Sequence, residues 1–170
     1  MWPCMDRQHF QSRNLWPPQH TVRPRPLLEQ LVERHRDGVQ LEFAAVSDKL
    51  AGIIDDAKWL LGLKDNFDGR GSPRYSKDTL DRAIAFVRLQ WQEYLRLNVE
   101  PMPLPEIGPG PQGSIDIFWD LPNLNLLVNI PADPKLPVEF AGDGKDRGRF
   151  DGTLVDPTQP NRGLVSWLTS

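Results

Sequence analysis

The sequence predicts an α+β fold. N-terminal helices would pack on one face of a three- to four-stranded antiparallel meander, and a short C-terminal helix would follow. Two observations predict this fold. Apolar residues recur at helical spacing in the first half of the chain, and the apolar period falls to two after Gly113. The 170 residues are 39% hydrophobic and 25% charged, which suits a single folded domain.

Residues 1–26 are predicted to form a flexible, proline-rich tail before a single α+β domain over residues 27–170. The tail holds five prolines and no apolar period. Proline removes a backbone donor and favours extended neighbours, so a packed element is not expected here. Trp16 precedes two of these prolines and is a candidate anchor for a protein partner.

Three helices are predicted in the first half of the domain. The first spans residues 27–37 and stops at Gly38. The second spans residues 47–62, with a serine as its N-cap. The third spans residues 76–98, and its broad apolar stripe predicts contact with more than one neighbour.

The second half is predicted to form strands and turns. Five prolines in residues 101–111 favour an extended connection. Strands are then predicted at 114–120, at 124–130, from Val138 and at 150–155. A closing helix is predicted at 161–169.

Strict alternation assigns the first two predicted strands a buried face and a polar face. Ile115, Ile117 and Trp119 lie on the first, which the helices would cover. Asp116 and Asp120 lie on the second, which would meet solvent or a partner.

Composition excludes several classes of function. The net charge of −3 gives no reason to expect nucleic-acid binding. No apolar run approaches the ~18 residues of a membrane span, and no secretory signal is visible, so a cytoplasmic protein is expected. The three histidines all lie within the first 35 residues, so histidine-dependent hydrolysis and an imidazole-based zinc site are not expected. No cofactor is predicted.

The segment 65–71 is rich in oxygen ligands, yet it does not fit a calcium loop. Alignment to an EF-hand puts Lys64 at the first ligand position and Tyr75 where a glutamate is needed. The favoured interpretation is a tight turn, in which Gly69 and Gly71 take positive φ and Asp68 caps local amides.

Two stretches resemble a family of small bacterial proteins that have no established activity. Residues 63–73 resemble the signature N-W-D-G-x-G-A-x-P, with Phe67 in place of tryptophan and Ser72 in place of alanine. Residues 105–119 resemble P-x-I-x-P-x-x-x-G-x-I-x-x-x-W, and the resemblance covers about residues 60–130. Some members are encoded beside mobile-element, toxin–antitoxin or phage-defence genes, which implies a protein partner.

These motifs also have a purely structural explanation. Asn66, Asp68 and the glycines would build a turn between two helices, with Phe67 anchored in the core. Trp119 would then fill the layer between the sheet and the helix at 76–98.

The resulting hypothesis is a non-enzymatic protein-binding module, either antitoxin-like or an accessory subunit of a bacterial defence or toxin–antitoxin type system. Catalytic side chains are scarce and no metal ligands are assigned. A protein partner is expected, without nucleic acid or membrane, and the oligomeric state is left open. The residues assigned to partner binding are Asp68, Arg70, Arg74, Asp116, Asp120 and Trp16.

Two alternatives remain open. The first is a small carboxylate- or metal-dependent enzyme that uses Asp68, Asp116, Asp120 and Glu139. The second is nucleic-acid binding through the tail arginines Arg7, Arg13, Arg23 and Arg25, which would depend steeply on salt.

Overall fold

A computed structural model describes residues 27–97, 102–154 and 156–169. The predicted tail at 1–26 lies outside these ranges. The elements in chain order are α1 (Leu27–Asp56), a 3-10 helix (Ala57–Gly62), α2 (Lys77–Leu97), β1 (Glu106–Pro109), a 3-10 turn (Pro111–Gly113), β2 (Ile115–Leu121), β3 (Leu124–Ile130), β4 (Val138–Gly144), β5 (Gly148–Leu154) and α3 (Arg162–Thr169).

The five strands form one antiparallel sheet in the order β1-β2-β3-β4-β5. The α+β class, the meander and the short C-terminal helix are therefore confirmed. The strand count is corrected from three or four to five, because β1 lies in the segment expected to be a proline-rich connection. Pro109 ends β1, and a proline is tolerated there since an edge strand has one unpaired side.

The prediction of two separate helices, at 27–37 and at 47–62, is wrong. A single helix runs from Leu27 to Asp56, through Gly38 and Ser47. A glycine inside a helix costs about 1 kcal/mol relative to alanine, which is too little to stop a long helix. The predicted cap at Ser76 is confirmed, because its Oγ accepts a hydrogen bond from the Thr79 amide at 3.0 Å.

The core lies between the sheet and the helices. Leu80, Phe86 and Val87 of α2 are buried, and so are Ile117 and Trp119 of β2. Trp119 occupies the layer between sheet and helices, as the structural explanation predicted, and its Nε1 donates to the carbonyl oxygen of Pro103 at 3.1 Å. Other buried strand residues from the same face are Ile107, Ile115, Leu124, Leu126, Val128, Ile130, Val138 and Leu154.

α3 covers the far end of the same face. Trp167 stacks on Phe150 with ring centroids 4.9 Å apart, and its Nε1 donates to the Asn125 carbonyl at 3.0 Å. Glycine is required at position 142, since a Cβ there would lie 2.9 Å from the indole nitrogen of Trp167. This close approach fixes α3 against β3 and β4.

Two polar contacts join α3 to α2. The Glu93 carboxylate accepts hydrogen bonds from Arg96 at 2.7 Å and from Arg162 at 3.2 Å. Its pKa is lowered, chiefly by the hydrogen bond from Arg96. The Gln90 Oε1 accepts a hydrogen bond from the amide of Asn161 at 2.9 Å.

Within the described ranges, no helix is long and apolar enough to cross a membrane.

Leu126 and Leu127 offer a direct test of this one-sided burial. Leu126 is 0% exposed on the helix side, whereas Leu127 is 36% exposed on the opposite side. We expect Leu126→Ala to lower the free energy of unfolding by about 2–5 kcal/mol. Leu127→Ala is expected to lower it by less than about 1 kcal/mol. Urea unfolding of both variants measures the difference, and equal losses would contradict the assignment of faces.

Candidate functional site

The second face of the sheet, called here the open face, is not covered by any element that the structure describes. The strand register arranges its side chains in three rows that cross the sheet. The upper row is Asp116, Asn129, Glu139 and Thr153; the middle row is Glu106, Phe118, Leu127, Ala141 and Asp151; the lower row is Asp120, Asn125, Asp143 and Arg149.

The open face is strongly acidic. Its three rows contain six carboxylates and one arginine, whereas the whole chain has a net charge of only −3. Carboxylates so close together create a negative potential that favours the approach of cationic groups.

The centre of the open face is apolar. Phe118, Leu127 and Ala141 are neighbours in the middle row, each directly opposite the next. A shallow depression of about 390 Å³ lies beside this row, and Leu127, Glu139 and Asp151 line it. A second depression of about 340 Å³ adjoins the first, since Asn129 and Glu139 line both.

A hydrogen-bonded cluster fixes the upper end of the face. Asn129 Nδ2 donates to Asp116 Oδ1 at 2.6 Å and to Ser114 Oγ at 2.8 Å. Ser114 Oγ in turn donates to the carbonyl oxygen of Pro111 at 2.6 Å. Gly110 packs directly on the cluster, where a Cβ would lie 2.5 Å from Ser114 Oγ. Asp116 is therefore held in one position before any partner binds.

The segment 65–71 is a tight turn, as predicted, and the Arg74 amide closes it by donating to Asp65 Oδ1 at 2.8 Å, so that the whole turn covers 65–74. Gly69 and Gly71 have φ of +70° and +81°. The Asp68 carboxylate accepts hydrogen bonds from the Ser72 hydroxyl at 2.7 Å and the Arg70 amide at 2.9 Å. These two bonds, the Ser72 hydroxyl first, lower the pKa of Asp68. Most of the hydrogen-bonding capacity of this carboxylate thus serves the turn.

The placement of Phe67 in the core is wrong. Its side chain is 40% exposed and meets the ring of Tyr75 edge-on, with centroids 5.8 Å apart. The buried aromatic residue of this turn is Tyr75, which is 4% exposed. The adjacent Asn66 takes a positive φ of 60°, and this turns the chain sharply at the surface.

The two motif stretches contact each other. The Tyr75 hydroxyl donates to the Gly110 carbonyl at 2.9 Å. A Cβ on Gly113 would lie 3.2 Å from the Pro73 ring. Burial raises the pKa of Tyr75, and the negative charges of Asp68 and Asp116 raise it further. The turn and the upper row of the open face therefore form one continuous region around Tyr75.

The predicted binding residues divide into three groups. Asp68, Arg70 and Arg74 lie on the turn, and Asp116 lies beside it. Asp120 is separate from these residues. It lies four positions after Asp116 at the other end of β2, which corresponds to a distance of roughly 13 Å. Trp16 lies outside the described residues.

Sequence reasoning did not assign Leu127, Asp143 or Asp151 to the site. Alternation along a strand predicts a face, but it does not predict which residues of neighbouring strands become opposite one another. Glu139, named as a candidate of the carboxylate enzyme, lines both depressions. In the part of the chain that the structure describes, no group of three His, Cys, Asp or Glu side chains is arranged to hold a metal ion.

Comparisons with protein-family models, with curated proteins and with solved structures give no match for this chain.

The hydrogen bonds of Asp68 predict a pH dependence of stability. The folded-state pKa lies below the ordinary value of 3.8, so ionised Asp68 stabilises the fold above that pH. This contribution is lost as the pH falls through the folded-state pKa. We expect Asp68→Asn to destabilise the protein near neutral pH and to have progressively less effect in acid.

Chemical unfolding at a series of pH values measures this effect. Asp146→Asn, at an exposed hairpin position, serves as the matched control and should show a small difference at every pH. A destabilisation by Asp68→Asn that stays constant from neutral to acidic pH would contradict the role of the ionised carboxylate.

Proposed function

We propose that this chain is a non-enzymatic protein-binding module whose open face binds a partner with basic side chains around an apolar centre. The observation that supports this most directly is the pattern of the face. An apolar middle row of Phe118, Leu127 and Ala141 is bordered by carboxylates on neighbouring rows.

This pattern matches the anatomy of protein interfaces. Binding energy in such interfaces comes mainly from a buried apolar centre, and a polar rim excludes water and selects the partner. On the open face, Leu127 would supply the centre, while Asp116 and Glu139 lie on the rim. A basic partner is favoured because opposite charges accelerate association and like charges exclude wrong partners.

The rigid upper row supports the same function. Asn129 holds the Asp116 carboxylate, and the Tyr75–Gly110 hydrogen bond ties the turn at 65–74 to this row. Side chains that are already ordered lose less entropy on binding than mobile ones. The turn would thereby present Arg70 and Arg74 at a fixed position beside the face.

The biological role that we propose is an antitoxin-like protein or an accessory subunit of a bacterial defence or toxin–antitoxin type system. The resemblance of residues 63–73 and 105–119 to proteins encoded near such genes supports this role. In such a system, a basic surface of the partner would be covered by the acidic open face.

The test starts from the full chain, used to capture a stoichiometric partner from an extract of its native host. The purified partner is then titrated by calorimetry against Leu127→Lys and Glu139→Lys. Each change is expected to weaken binding at least about tenfold, because one puts a charge in the apolar centre and the other reverses a rim charge. Binding by the unmodified chain should also weaken as salt is raised.

The matched controls lie outside the open face. Leu95 on α2 is 37% exposed, close to the 36% of Leu127, and Glu42 on α1 is exposed as Glu139 is. Leu95→Lys and Glu42→Lys should bind as the unmodified chain does. Unchanged affinity of the Leu127 and Glu139 variants, or loss of affinity in the two controls alone, would refute the proposed surface.

A further inference from the structure

The two edges of the sheet differ in how they are protected. β1 is four residues long, ends in Pro109 and packs against α1 and the 3-10 helix at Ala57–Gly62. β5 is seven residues long and contains no proline. It pairs with β4 on one side, and within the ranges that the structure describes no strand pairs with its other side.

The chain that follows β5 does not run along this edge. It returns to the helix side of the sheet, where the Asn161 amide donates to Gln90 of α2. Pro157 and Thr158 lie near Phe86 of α2 on the way. No described residue therefore pairs with the outer N–H and C=O groups of β5, and such an edge is a template for another strand.

We infer that β5 pairs antiparallel with β5 of a second copy of this chain, about a two-fold axis perpendicular to the sheet at Phe150. Such an axis keeps the helices of both copies on the same side. Directly opposite residues of an antiparallel pair share a face. The two-fold axis must therefore lie at a residue of β5 and not between two neighbouring residues. The two sheets would become one of ten strands.

The charges of β5 select this register. With Phe150 on the axis, Arg149 of each copy lies opposite Asp151 of the other, which gives two symmetric opposite-charge pairs. An axis at Arg149 would place two guanidinium groups opposite each other, and an axis at Asp151 would place two carboxylates opposite each other. Both side chains are accessible, with exposed fractions of 77% for Arg149 and 53% for Asp151.

The contact already present within one copy fits the same arrangement. Arg149 Nε donates to Asp151 Oδ1 at 2.9 Å, so both side chains already lie together on the open face. The remaining guanidinium donors would reach the carboxylate of the second copy and form an alternating square of four charges. On the other face, Phe150 would meet its copy and extend the aromatic cluster with Phe140 and Trp167.

Sedimentation velocity from low micromolar to near-millimolar protein tests this inference. The unmodified chain is expected to change reversibly from monomer to dimer as its concentration rises. R149D and D151R should each raise the dimer dissociation constant at least about tenfold, because each places like charges opposite one another. The double variant R149D/D151R should restore the dimer, since it restores opposite charges in the register centred on Phe150.

The control exchanges the two residues of an exposed ion pair that lies away from the β5 edge. Lys77 and Asp81 form such a pair on α2 at 2.6 Å, so the exchange K77D/D81K should leave dimerisation unchanged. Circular dichroism of every variant verifies that it is folded. A chain that stays monomeric throughout, a dimer insensitive to R149D, or a double variant that fails to dimerise would each overturn the inference. None of these outcomes bears on binding by the open face, which calorimetry with the Leu127 and Glu139 variants measures separately.

Discussion

Burial of one face of the sheet beneath α2 and α3 is the constraint on which the rest of this structure depends. The alternate residues Ile115, Ile117 and Trp119 remove their side chains from water on the helix side. Because strand side chains alternate, the same burial forces Asp116 and Phe118 to the opposite side. The open face is thus a direct consequence of the core, and the side chains on it take no part in that core.

The second determinant is the contact between the turn at 65–74 and the turn before β2. Tyr75 donates to Gly110, and Gly110 in turn packs on Ser114 and Asp116. A larger residue at position 110 would displace that carboxylate, and loss of the tyrosine hydroxyl would leave a carbonyl without this donor. Residues 63–73 and 105–119 therefore meet in space as well, since a Cβ on Gly113 would lie 3.2 Å from the Pro73 ring.

The sequence was sufficient to predict what depends on local periodicity. The α+β class, the strand alternation around Trp119 and the cap at Ser76 are confirmed. The break at Gly38 was wrong because one glycine is a weak stop signal in a long helix. β1 is not predicted because the five prolines in residues 101–111 favour an extended connection without a strand partner. The rows of the open face depend on cross-strand register, which arises from tertiary pairing, so alternation along single strands does not identify Leu127 and Asp151.

Hydroxyl-radical footprinting of the captured complex measures directly whether the open face, and not the helix side, contacts the partner. The method reports the solvent accessibility of individual side chains. We predict that oxidation of Phe118 and Leu127 falls in the complex, while that of the exposed Trp59 and Leu95 on the helices stays the same. Protection of Trp59 and Leu95 without protection of Phe118 and Leu127 would contradict the account.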